Sequence, residues 1–521
     1  MKFEKLQRIS NYFVNLFFLP LIFISLLGAL GQIIGNFNGM RVKVYAVVVA
    51  IIALTFMLAS SARGRKWGNK IIGKVKRHIL RQRRVYLVIL IVLTLLWQIW
   101  MVMMLSGTSA WDPVNITRGA MGHAEPKLYF SYNSNTLLLM YIERLVWLII
   151  GQPGFQTLVL VLNFGNIILI DLALVLMVSV TRRWFNHRTV PFLIFFCWTL
   201  FMVTPWVALT YTDDWAFLLA ACNLWLVSGL TYYQRTWQKY ILAGGIGISL
   251  MFSYFMKPPL VIFYIAVLIV LFFQKGCQKW HRPTFQASLA VIIGLLCATA
   301  FYAGMQTYTH YQHVVTVDAR LAHPATHFMA MGMTGNGAYN NADVEMDQSI
   351  KSPTKRQKAN MNLIKQRLHA FGPVNYLKFL VQKQVNNTAD GSFGWGADGI
   401  FLIVNHVTSA RLKHTLPRVL FTDGGVVRLN SYEYRFYAQL LWSIVLLLLL
   451  LAGRQAGWKS QLFKYGIVGG MMFLLLFEGG RSRYLIQFLP MYFILAAVSA
   501  ERVWRQVESW QKNHRQLEDV K

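Results

Sequence analysis

The chain has 521 residues, of which 56% are hydrophobic and only 14% charged, and its mean hydropathy is +0.43. A soluble domain carries roughly a quarter of charged residues, so a soluble globular protein is excluded. The net charge of +31 suggests nucleic acid at first sight. Its placement between apolar runs follows membrane topology instead, and no nucleic-acid partner is expected.

Apolar runs of about 17 to 25 residues, the length that spans hydrocarbon, recur from end to end. They lack the alternating segments of about ten residues that build a closed β-barrel. The expected fold is an all-α polytopic membrane protein with about twelve spans. These fall near 13–34, 44–60, 85–105, 155–180, 190–209, 215–232, 240–256, 259–273, 285–306, 436–453, 465–478 and 485–500. Residues 1–84 hold two N-terminal spans and a basic loop, and 85–306 form a transmembrane module containing an outer loop at 106–154. An extracytoplasmic segment covers 307–435, C-terminal spans 436–500, and a cytoplasmic tail 501–521. The apolar stretch after Lys2–Arg8 is long and a second span follows closely, so it reads as an uncleaved first helix.

Sidedness follows from the basic residues. Arg63, Arg65, Lys66, Lys70, Lys74, Lys76, Arg77, Arg81, Arg83 and Arg84 form one block between two apolar runs, which marks that loop as cytoplasmic. On alternation, Arg182-Arg183, Arg235/Lys239, Lys275/Lys279/Arg282 and Arg454/Lys459/Lys464 face the same side. Asp112, Glu125, Glu143, Asp213, Asp214 and Glu478 fall on the other. Residues 136–150 (TLLLMYIERLVWLII) are apolar enough to span, but Glu143-Arg144 sits at the centre, and a span here would put every later basic turn outside. An interfacial or re-entrant helix is expected instead. Residues 374–385 read as a second membrane-surface helix. The cysteines Cys197, Cys222, Cys277 and Cys297 show no disulfide framework.

Trp111-Asp112-Pro113 opens the first long outer loop directly after a span. A carboxylate at a membrane boundary costs free energy unless it is solvated or used, so Asp112 is the first functional candidate; the bland alternative is a surface helix cap. Tyr132, Asn133 and Asn135 follow in a polar Tyr-Asn-Ser-Asn stretch suited to a polyhydroxylated substrate. The next outer loop carries Asp213 and Asp214, which could join Asp112 around a divalent cation or could cap the helix starting near Trp215. Lys257 stands alone between apolar runs, and Arg481 and Arg483 follow Glu478 and precede Tyr484. Cations on this face run against the positive-inside bias, so a phosphate ligand is expected, against ordinary snorkelling at a helix end. His310, His313, His323 and His327 are loosely spaced like metal ligands but lack a cysteine or carboxylate pattern. Asp171, inside a span, is expected to pair with polar neighbours such as Asn166.

In the order and sidedness of these motifs, the chain resembles the integral-membrane glycosyltransferases of the GT-C superfamily. It is most similar to the protein mannosyltransferase and aminoarabinose transferase branch, in a Gram-positive set. The resemblance covers most of residues 85–500. Its carriers are Trp111-Asp112-Pro113, Tyr132-Asn133-Ser134-Asn135 in place of a Tyr-Pro-Asn-Asn motif, Tyr211-Thr212-Asp213-Asp214, and Arg481-Ser482-Arg483-Tyr484 followed by Pro490. Two spans precede the span leading into the Asp112 loop, and Asn133 and Ser134 depart from the motif.

The resemblance implies a multi-pass enzyme of the cell membrane with an extracytoplasmic active site. Its donor would be a polyprenyl-phosphate sugar, and its acceptor a glycan, glycolipid or protein of the cell envelope. Asp112 would be the general base, Lys257, Arg481 and Arg483 would stabilise the departing lipid phosphate, and Asp213 or Asp214 would hold a metal or orient the acceptor. A flippase for lipid-linked glycans, or a polysaccharide polymerase or ligase, is the competing class. No internal repeat of the transporter kind is visible in the sequence.

Overall fold

The computed structural model describes residues 2–39, 83–109, 111–123, 127–275, 284–395, 401–403 and 432–519, with isolated positions between 47 and 82. The expected span 44–60, most of the basic loop 61–84, Glu125, Cys277, Lys279, Arg282 and residues 404–431 lie largely or wholly outside the described residues.

The described chain is helical, as expected. In order it forms α1 (Lys2–Gly39), α2 (Arg83–Leu105), α3 (Asp112–Ala120), α4 (Tyr129–Tyr132), α5 (Leu137–Ile149), α6 (Phe155–Trp184), α7 (Val190–Cys197), α8 (Thr212–Tyr232) and α9 (Thr236–Met256). Then come α10 (Ile262–Lys275), α11 (Phe285–Tyr311), α12 (Ala325–Met331), α13 (Asn341–Ser349), α14 (Pro353–Thr388), α15 (Tyr432–Ala452), α16 (Trp458–Leu476) and α17 (Leu489–Asp519). Two short strands, β1 (Gly107–Ser109) and β2 (Phe401–Ile403), pair antiparallel with Gly107 opposite Ile403.

Eight helices among the described residues are long and apolar enough to cross a membrane: Leu6–Phe37, Arg83–Leu105, Phe155–Trp184, Thr212–Tyr232, Thr236–Met256, Phe285–Tyr311, Tyr434–Ala452 and Ser482–Gln511. Shorter apolar helices at His187–Met202 and Pro258–Gln274 stand at two further expected spans. The span expected at 465–478 falls in α16, whose first half carries Lys459, Gln461 and Lys464 and is too polar to count with the eight.

The helices sort into a core and a periphery. Residues Leu489 to Ala497 of α17 are almost fully enclosed. Around it pack α15, α16 and α8. By contrast α11 has no buried residue and packs along α9 at the periphery. A buried lysine inside the bundle is held by four acceptors. Lys464 Nζ donates to Asn11 Oδ1 at 2.9 Å, Asn15 Oδ1 at 3.1 Å, and the carbonyls of Gly453 and Gln455 at 3.1 and 2.9 Å. That ammonium ties α1 to α16 at a depth where an unpaired charge would be costly.

Residues 136–150 are not a span. They form the 13-residue α5, which packs on α3 and buries Glu143. In the second large segment, α14 bends where Gly372 adopts φ 62° ahead of Pro373. Val374, Leu377 and Val381, spaced i, i+3, i+7 after the bend, are exposed, whereas Tyr376, Phe379 and Leu380 are half-buried.

Candidate functional site

Consecutive spans reverse direction, so the C-terminal end of α2, the N-terminal end of α8, the C-terminal end of α9 and the turn between α16 and α17 all reach one end of the bundle. A single buried amide brings the first two together. Asn163, in α6, donates from Nδ2 to Ser106 Oγ at 2.9 Å, to the Gly107 carbonyl at 3.2 Å and to the Ala208 carbonyl at 3.0 Å. Its Oδ1 accepts from Thr210 Oγ1 at 2.7 Å. Gly107 and Leu209 form a parallel bridge in consequence, and the chain leaving α2 runs beside the chain entering α8.

This juxtaposition sets Asp112. The helix before it ends at Leu105, so Asp112 is not at the helix exit itself. It is the first residue of α3, with Pro113 in the first turn. Tyr129 donates from its phenol to Asp112 Oδ1 at 2.7 Å, and Tyr211 donates to Oδ2 at 3.0 Å. Both oxygens are therefore held, one by the segment after α2 and one by the segment before α8. Burial and the neighbouring Asp112 charge push the Tyr129 phenol up, so it keeps the proton it donates.

Behind Tyr211 stands a row of charge. Asp213 and Asp214 are almost fully enclosed in the first turn of α8. The helix cap is Tyr211, so neither aspartate serves as the cap. Lys257, at the end of α9, donates to Asp213 Oδ1 in a buried ion pair. Arg483 Nε approaches the other Asp213 oxygen at 3.6 Å, and its guanidinium lies over the Tyr211 ring at 5.2 Å and the Tyr484 ring at 5.6 Å. Lys257 Nζ lies 5.7 Å from the Tyr484 ring centre.

Tyr484 donates to Glu478 Oε1 at 2.9 Å. Burial pushes the Glu478 carboxyl up, with the Tyr484 hydrogen bond and then Arg481 and Arg483 opposing, and the Asp112 charge adding to the rise. The turn carrying this group is fixed from below. Gly479 N donates to the Gly337 carbonyl at 2.8 Å, Gly480 N to Asn387 Oδ1 at 2.6 Å, and Ser482 Oγ to Asp390 Oδ2 at 3.2 Å. Gly480 has φ +70°, and a Cβ there would strike the Asn336 carbonyl. Only glycine fits both demands.

Asp112, Asp213, Asp214, Lys257, Glu478, Arg481, Arg483 and Tyr484 thus form one neighbourhood. Tyr129 and Tyr339 belong to it as well; burial raises the Tyr339 phenol, and the charges of Asp112 and Glu478 are felt there. The Tyr-Asn-Ser-Asn stretch is placed differently. Tyr132 stacks on His323 with ring centres 5.4 Å apart, Asn133 Nδ2 folds back to the Tyr129 carbonyl at 3.3 Å, and Asn135 is exposed. Asp171 accepts from Gln98 Nε2 at 2.9 Å rather than from Asn166, because Asn166 turns toward the Val207 carbonyl and Thr210.

The divalent-cation expectation for Asp112, Asp213 and Asp214 meets a structural difference. Among the described residues, the one trio of His, Cys, Asp or Glu with ligand atoms within 4.8 Å of one another is His323, His327 and Asp347. Asp213 is instead committed to Lys257. In the histidine trio, Asp347 takes a 2.5 Å hydrogen bond from His323 Nδ1 and another from Asn360. The two imidazoles stack with ring centres 4.3 Å apart and planes inclined by 15°, and His327 Nδ1 lies 3.7 Å from Asp347 Oδ1 without a hydrogen bond. Burial, then the adjacent His323, pushes His327 down to about 4 and leaves it neutral.

No curated protein and no solved structure matches the chain. A family described as conserved hypothetical integral membrane protein matches residues 6–504, nearly its whole length. The chain belongs to that family of integral membrane proteins.

Proposed function

We propose that the protein transfers a sugar from a polyprenyl-phosphate-linked donor to a cell-envelope acceptor, at the extracytoplasmic face of the cell membrane and with inversion at the anomeric carbon. The observation that carries this reading is the meeting of Asp112 with the Asp213–Lys257 pair, Arg483, Arg481 and the Glu478–Tyr484 pair at one end of the bundle. A base and a cationic cradle side by side suit a displacement in which an acceptor hydroxyl attacks and a lipid phosphate departs. The sidedness of the basic segments supports placing this end outside.

In the proposed reaction, Asp112 takes the acceptor proton as the new glycosidic bond forms. Its two phenol partners aim the carboxylate and reduce its freedom to rotate away. Positive charge builds on the sugar ring in an oxocarbenium-like transition state, while negative charge builds on the leaving phosphate. Arg481 and Arg483 meet that phosphate with fixed, forked donors. Lys257 is already neutralised by Asp213, so its part is to set the position of Asp213 and, through it, of Arg483.

The test supplies purified protein with radiolabelled polyprenyl-phosphate sugars and membrane acceptors. Label moving to the acceptor is expected. No transfer with any lipid sugar, together with movement of a lipid-linked glycan across vesicle membranes, would replace the reading with the flippase. Transfer of a whole preassembled glycan that ignores Asp112 would favour a polymerase or ligase.

A further inference from the structure

A cavity lies far from the Asp112 group, among the N-terminal half of α2, the C-terminal half of α6, and the helix that follows. It encloses about 740 Å³, within the usual range of ligand sites. Its walls are apolar, with Leu87, Ile91 and Leu95 on one side, Val175 and Val178 on the other, and Trp198 at the back. Leu87, Ile91 and Val175 are half or more exposed, so the cavity opens sideways into the zone that hydrocarbon occupies.

The polar groups mark its two ends. Arg182 lines the mouth, is exposed, and has no hydrogen bond or ion pair among the described residues. Its neighbour Arg183 is committed to the Trp225 carbonyl, Ser228 and Tyr233. Asp171 lines the far end and accepts from Gln98. Asp171 and Arg182 are on one helix, and eleven residues at the helical rise place them roughly 16 Å apart along its axis. That is about half the hydrocarbon thickness of a bilayer, the depth of one leaflet.

We propose that this groove is a binding site for one anionic glycerophospholipid, with its phosphate at Arg182 and an acyl chain along the apolar walls toward Asp171. The order of chemistry from mouth to floor is that of a lipid in its leaflet, a charged surface group followed by hydrocarbon. An anionic headgroup fits because, among the described residues, no carboxylate lines the mouth to receive the cation of a zwitterionic one. The site belongs to the leaflet opposite the Asp112 group: its lining residues precede that segment on α2 and follow it on α6 by at least half a helix. The proposal is independent of the glycosyl-transfer reading.

The full chain, purified without a tag in detergent, is titrated with dioleoyl phosphatidylglycerol or dioleoyl phosphatidylcholine and the bound lipid is counted by native mass spectrometry. One phosphatidylglycerol is expected to be retained about fivefold more tightly than phosphatidylcholine, the contribution of one basic side chain at a membrane surface. Arg182→Ala removes that preference, and Val175→Trp, which fills the groove, removes the retained lipid altogether. A phosphatidylglycerol with a photoreactive group in mid-chain labels residues 87–95 or 171–178 of the unaltered protein, which decides the matter even if Val175→Trp does not fold. Equal retention of the two lipids, a preference that survives Arg182→Ala, or labelling confined to residues 40–82 would overturn the proposal. The last outcome would mean that the chain's own segment fills the groove.

Discussion

Tyr211 donates its phenol proton to Asp112 across 99 positions of sequence at 3.0 Å, while Tyr129 holds the other carboxylate oxygen at 2.7 Å. A hydrogen bond to a charged group contributes about 1.5 to 3 kcal/mol. Tyr129→Phe and Tyr211→Phe are therefore each expected to lower kcat for sugar transfer about ten- to a hundredfold, with KM for the donor little changed. A fall in donor affinity with kcat intact would place these phenols on substrate rather than on Asp112.

Asn163 is the staple that makes this meeting happen. Replacing it with leucine leaves the Gly107 and Ala208 carbonyls without their amide donor in a buried setting. Such orphaned groups cost about 1 to 3 kcal/mol each. Asn163→Leu should lower the melting temperature in detergent and abolish activity, whereas Asn133→Ala, which touches only a nearby carbonyl, should do neither.

The Asp213–Lys257 pair is buried, so breaking it from one side takes the closest partner from a buried charge, although Asp213 keeps Arg483 at 3.6 Å. Asp213→Asn or Lys257→Met alone should destabilise by about 3 kcal/mol. The double variant should recover a large part of that loss, because neither member of the pair is left charged without the other, and a thermal-unfolding double-mutant cycle measures the coupling. Strictly additive losses would show that the two residues do not act as a pair.

Glu143 gives a pH dependence that can be signed. Burial, opposed by a hydrogen bond from Thr117, pushes its carboxyl from 4.5 up to about 8. Between those values the unfolded chain binds fewer protons than the folded one, so stability falls as pH rises from about 4.5 to about 8 and is steady below that window. Glu143→Gln should flatten this part of the curve. An unchanged slope would assign it to other groups.

Much of the architecture was legible because membrane insertion imposes two simple demands, apolar length and basic loops on one side. The same alternation put Asp112, Asp213, Lys257 and Arg483 at one end of the bundle before any contact was known. What composition hides is the side-chain partner. The Asp213–Lys257 pair joins residues 44 positions apart, and Asn163 sits in an apolar helix where an amide looks incidental. Tyr129 gave no signal, since tyrosines are common at membrane boundaries. The Tyr132–Asn135 stretch looked like the substrate face, yet Tyr132 packs on His323 in the segment after α11, a contact that spacing cannot reveal.

The most direct test compares Asp112→Asn with the unaltered protein in transfer from a labelled polyprenyl-phosphate sugar, with polyprenyl-phosphate binding measured on the same samples. General-base catalysis contributes about 10²- to 10⁴-fold. The expected result is a loss of that size with binding retained and the Tyr129 and Tyr211 phenols still in place. Transfer at the unaltered rate would contradict the account.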